Sequence, residues 1–102
     1  MTTNQKIRTI AHHYGYESQS RQCMEECGEL AHAANKMWRV LDSDSGKVKE
    51  IIEAKHNLIK EMADVSIMIA QLQELLEVSD KRLVNEMNLK LDREIERIQK
   101  AM

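Results

Sequence analysis

Leu83, Met87, Leu91, Ile95 and Ile98 recur every three or four positions in the last part of the chain. That period is helical, because an α-helix turns once in about 3.6 residues. The pattern predicts a final helix reaching about Gln99, after a turn at Val78-Ser79-Asp80, with Ser79 or Asp80 as its cap. A long helix from about Lys47 to Glu77 is expected before it. The run DSDSG, Asp42 to Gly46, is the clearest loop in the chain. Ahead of that loop a further helix is predicted to about Leu41, capped by Ser18 or Ser20. Residues 3–14 read as a weak helix or ordered arm ended near Gly15. The expected fold is therefore all-α: one domain over residues 1–102, an antiparallel helical bundle of three long helices. Residues 1–16 form its N-terminal arm or short helix.

Composition supports this reading. The chain has no Pro, no Phe and only three Gly, and its apolar set is Leu, Ile, Met and Ala, which favours helix over strand. A chain of 102 residues buries a limited core, so long helices gain from a partner subunit. The formal net charge of −2 gives no basic excess to attract a polyanion, and no nucleic-acid partner is expected. The first residues lack the apolar core of a signal peptide, and no run of about 18 apolar residues offers a membrane span. No membrane partner is expected, and the cytoplasm is the expected compartment. Cys23 and Cys27 lie one helical turn apart and are expected to be two buried free thiols.

The acidic residues change the picture. On a wheel at about 100° per residue, Glu29 lies about 60° from Glu26, and Glu25 about 100° away on the same side. Leu30, Ala33 and Met37 fall within about 40° of Glu26, so these acids border the apolar face. On the following helix Asp64 lies about 60° from Glu61, and Ala54, Leu58, Val65, Met68, Leu72 and Leu75 surround the two. Ionised carboxylates on an apolar stripe are costly unless paired or bound to a metal. Two i,i+3 pairs on antiparallel helices bring four carboxylates together. Their mutual repulsion is relieved by a hard cation held through oxygen, Mg²⁺ or Mn²⁺ rather than zinc.

These residues carry a resemblance. EECGEL (Glu25 to Leu30) and EMADV (Glu61 to Val65) resemble the two halves of the EExxE…ExxD signature of the all-α nucleoside triphosphate pyrophosphohydrolases. That superfamily includes MazG-like proteins, dimeric dUTPases, dCTP pyrophosphatases and phosphoribosyl-ATP pyrophosphohydrolases. YGYESQSRQCMEECGELAHAANK, ADVSIMIAQLQ and the tail MNLKLDREIERI look like short MazG-like members, so the similarity spans about residues 14–99. The gap between Glu29 and Glu61 is longer than in many members. The resemblance implies a MazG-like bundle completed by oligomerisation, as a homodimer or homotetramer. It implies Mg²⁺, with Mn²⁺ as a substitute, on Glu26, Glu29, Glu61 and Asp64. Glu25 is then the catalytic acid that holds a further Mg²⁺ or positions the attacking water. The implied reaction is hydrolysis of an NTP or dNTP to its monophosphate and pyrophosphate, with nucleotide-pool house-cleaning as the implied role.

Other polar residues share the site face. Gln19, Gln22 and Asn57 are candidate base contacts, and Lys36, Lys90 and Arg93 are candidate phosphate contacts. The plainer reading makes them polar residues at a bundle edge and ordinary surface cations. Trp38 falls on the opposite face and is expected in core or subunit packing, with the seven Met as core filler. His12 and His13 are expected to be exposed, and Tyr14 either packed or a lid over the base. A ferritin-like di-iron bundle needs two Glu-x-x-His motifs, but EAKH (Glu53 to His56) supplies one. The non-catalytic alternative is a helical interaction module, which gives no reason for acids inside an apolar stripe.

Overall fold

The computed structural model describes residues 1–43 and 47–102. It is all-α, with three helices: α1 (Thr3–Asp42), α2 (Val48–Leu76) and α3 (Asp80–Ala101). No strand occurs among the described residues. Of the loop expected at 42–46, Asp42 closes α1 and Ser43 is its C-cap, while residues 44–46 lie outside the described residues.

The starts of α1 and α3 are capped by side chains, whereas Lys47 at the start of α2 makes no side-chain cap hydrogen bond. Thr2 accepts a hydrogen bond from the Gln5 backbone N–H, and the Gln5 side chain accepts one from the Thr2 N–H, a reciprocal pair that satisfies two orphan donors. Ser79 caps α3 by accepting from the Arg82 N–H at 3.1 Å. At the end of α2, Glu77 turns left-handed (φ 56°, ψ 44°) and the Val78 N–H returns to the Gln73 carbonyl at 2.8 Å.

The N-terminal segment is no loose arm. Gly15, with φ of 84° and ψ of 171°, leaves the helical region in a conformation open essentially to glycine alone, so α1 is two helical segments joined at a kink there, and the first ends near Gly15 as expected. Ala11 is fully buried, and His12 Nε2 pairs with Glu74 Oε1 at 3.0 Å. The Ser18 and Ser20 caps do not form. The Ser18 hydroxyl turns to the Gln19 side chain and the Ser20 hydroxyl to the Glu17 carbonyl, so neither caps the segment that follows Gly15.

α1 and α2 pack antiparallel. Their contacts step in opposite directions along the two helices, from His12 with Glu74, through Gln19 with Gln71, to Glu29 beside Glu61. The enclosed apolar core is thin: Ala11, Ala54 and Met68 are its buried members. Met1, Met24, Met62, Met87 and Met102 do not fill a core, since each is at least half exposed. The expected three-helix bundle is likewise not closed within one chain. α3 follows α2 through a short turn, and every one of its residues except Leu83 is exposed. The radius of gyration is 17.4 Å, against about 13 Å for a compact domain of this length. Among the described residues, no helix is long and apolar enough to cross a membrane.

Candidate functional site

The acids of the two helices converge where the antiparallel register brings them level. One carboxylate oxygen each from Glu26, Glu29 and Glu61 lies within 4.8 Å of the others. Glu26 and Glu61 are half-buried between the helices, and Glu29 sits at the exposed rim. Gln22, one turn before Glu26, donates to Glu26 Oε1 at 2.8 Å and fixes its rotamer. The second oxygens, Glu26 Oε2 and Glu61 Oε2, are buried and accept no hydrogen bond. A buried carboxylate oxygen without a donor is uncommon, and here two share one cluster.

Repulsion marks the cluster electrostatically. The carboxyl of Glu29 is raised above its ordinary value of 4.5, first by the negative charge of Glu26, then by that of Glu61. Partial desolvation, the charge of Glu25 and a hydrogen bond to Glu26 act in the same direction.

A cleft of about 450 Å³ opens beside the acids. Gly28, Ala33 and Ala54 line it, and their small side chains leave the space between α1 and α2 unfilled. Glu25, Glu29 and Glu61 lie along it, together with Lys36 and Asn57. On α1, Lys36 is about 10 Å beyond Glu29 at a rise of about 1.5 Å per residue. The cleft thus holds an acidic group, an amide one turn away on α2 and a cation two turns away on α1. Its volume falls within the range of about 300–1,000 Å³ usual for small-molecule sites.

Several expected site residues lie elsewhere. Asp64 is exposed and outside the carboxylate cluster, because the stripe edge that it occupies on α2 is already in solvent. Gln19 is no base contact: its amide is buried and donates to Gln71 Oε1 across the α1–α2 interface. Lys90 and Arg93 are exposed on α3, and the cleft within one chain is lined by α1 and α2 alone. The thiols are not both buried, since Cys23 is half-buried and Cys27 exposed. Burial pushes the Cys23 thiol up, and a hydrogen bond to Cys27, which favours the protonated thiol, adds to the shift. Trp38 is 62% exposed, so it is not part of the core of one chain. His12 and His13 are exposed as expected. Tyr14 is also exposed and stacks edge-on against His13, away from the cleft lining.

Two residues were missed. His32 lines the cleft one turn beyond Glu29, a spacing that identifies it on the same wheel. Gln71, 2% exposed, is a polar residue inside the apolar stripe of α2, the same signal that singled out Glu61.

No known protein family, curated protein or solved structure matches this chain.

Proposed function

We propose that this chain is a Mg²⁺-dependent nucleoside triphosphate pyrophosphohydrolase of the MazG-like kind. The observation that carries the reading is the convergence of Glu26, Glu29 and Glu61, with two buried carboxylate oxygens lacking any donor. The donor set fits the ion. All three ligands offer hard oxygen, and neither a thiol nor an imidazole belongs to the cluster, which suits Mg²⁺ or Mn²⁺ better than zinc. Glu26, Glu29 and Glu61 hold the metal in this reading. Asp64, one turn along α2 from Glu61, is the fourth ligand that the signature implies. When bound, the ion supplies Lewis acidity and charge neutralisation at the phosphate oxygens.

The chain's own residues bind, orient and move a proton. Gln22 holds the Glu26 carboxylate in one orientation. Glu25, on the cleft wall, takes a proton from water as its oxygen attacks the α-phosphorus. The bond from the α-phosphorus to the bridging oxygen breaks, and pyrophosphate leaves. Lys36 stands where it balances the charge of the leaving pyrophosphate, and Asn57 offers an amide to the base or sugar. The active protein is a homodimer or homotetramer. Lys90 and Arg93 of α3 reach a cleft only in such an assembly.

A panel of ribo- and deoxyribonucleoside triphosphates with Mg²⁺ tests the reading. Pyrophosphate and a nucleoside monophosphate are expected. Orthophosphate and a diphosphate would place attack at the γ-phosphorus and overturn it. No turnover of any nucleotide, together with no effect of Mg²⁺ on melting, would leave the helical interaction module.

A further inference from the structure

The face of α3 left bare by its own chain has an internal symmetry. Around Leu91, the residues Val84, Met87, Ile95 and Ile98 all fall within about 40° on the helical wheel. Their spacing reads the same in both directions, with Val84 and Ile98 equidistant from Leu91, and Met87 and Ile95 equidistant inside them. Each is about half exposed: Val84 48%, Met87 50%, Leu91 57%, Ile95 53% and Ile98 51%. A stripe that mirrors itself about one residue is what an antiparallel twofold pair requires, because the same patch must meet itself reversed.

We propose that α3 is a self-association surface, docked antiparallel on α3 of a second copy with the twofold axis at Leu91. In that register Val84 meets the partner's Ile98, Met87 meets the partner's Ile95, and the two Leu91 side chains meet at the centre. The flanking charges agree. An antiparallel pair faces the same flank of both helices, so Lys90 lies across from the partner's Glu94. Symmetry repeats this pair, which joins opposite charges.

The surface area agrees as well. The chain exposes 8338 Å². A compact monomer of its 11.9 kDa mass exposes about 5,900 Å². The excess of about 2,400 Å² per chain exceeds the ~800 Å² per partner that a standard interface buries. The inference needs neither a metal nor a nucleotide, so it stands or falls apart from the hydrolase reading.

Sedimentation of the full chain tests the surface, and disulfide trapping tests the orientation. Leu91→Asp is expected to remove one step of assembly, weakening it on the order of a hundredfold or more. Its helical circular dichroism should be retained, because the α1–α2 pair does not use Leu91. With Cys23 and Cys27 changed to Ser, a mixture of Val84→Cys and Ile98→Cys chains is expected to form a mixed disulfide dimer, and neither variant alone. A monomeric wild type, or a Leu91→Asp assembly of unchanged mass, would overturn the surface. Self-linking of Val84→Cys alone would overturn the antiparallel register.

Discussion

The amides of Gln19 on α1 and Gln71 on α2 hydrogen-bond to each other inside the helix interface, at 6% and 2% exposure. Each satisfies the other, so the pair behaves as a unit. Gln19→Ala or Gln71→Ala alone strands a buried amide, at a cost of about 1–3 kcal/mol. Replacing both with Leu is expected to lose much less than the sum of the two. Urea melts of the two singles and the double measure the difference, and additive losses would show that the bond is unimportant.

Glu61 presents a sharper choice. Glu61→Gln removes one of the like charges crowded between the helices. Metal-free stability is expected to stay the same or rise. The stabilisation by Mg²⁺, about 2.7 kcal/mol at a hundredfold excess over Kd, is expected to disappear along with turnover. Thermal melts with and without Mg²⁺ read both effects. Asp64→Asn is a useful contrast: at an exposed position it is expected to change metal-free stability by no more than about 0.5 kcal/mol.

Acidity should act on the metal-free protein through Glu29. Its carboxyl keeps a proton to higher pH when folded than at its ordinary 4.5 in the unfolded chain. Between those two values the folded state binds more protons. Lowering the pH through that window therefore adds stability, and raising it removes the gain. Below 4.5 both states are protonated and this group adds no further change. Melting curves of wild type are expected to show this rise on acidification, and those of Glu29→Gln to lack it.

The glycines of α1 should respond in opposite directions. A Cβ on Gly28 meets nothing within 4 Å, so Gly28→Ala is expected to stabilise the helix by about 0.5–1 kcal/mol. Gly15 also has open space around it, but its φ of +84° penalises any side chain. Gly15→Ala is expected to cost about 1–3 kcal/mol. Denaturant titration of both variants checks the sign of each.

Helix positions were legible because a 3.6-residue period, the Gly15 break and the Ser79 cap are all local signals. The unused Ser18 and Ser20 caps show that a polar residue near a helix start does not by itself fix which position caps it. The wheel identified Glu26, Glu29 and Glu61 correctly as neighbours of the apolar face. It misjudged Gln19, because a wheel gives an angle and not the height at which the partner helix covers it. Gln19 is covered by Gln71. Lys90 and Arg93 were beyond reach for a different reason: α3 is exposed along nearly its whole length, so no packed face within the chain fixes what they meet.

A core whose buried apolar members are two alanines and a methionine bears on how this protein behaves on dilution. If much of the apolar contact lies between copies, folding is a bimolecular event, and its midpoint moves with concentration. A melting temperature then describes a solution rather than a molecule. Specific activity should fall at low enzyme concentration and recover when the missing surface is supplied by adding a catalytically dead Glu61→Gln chain.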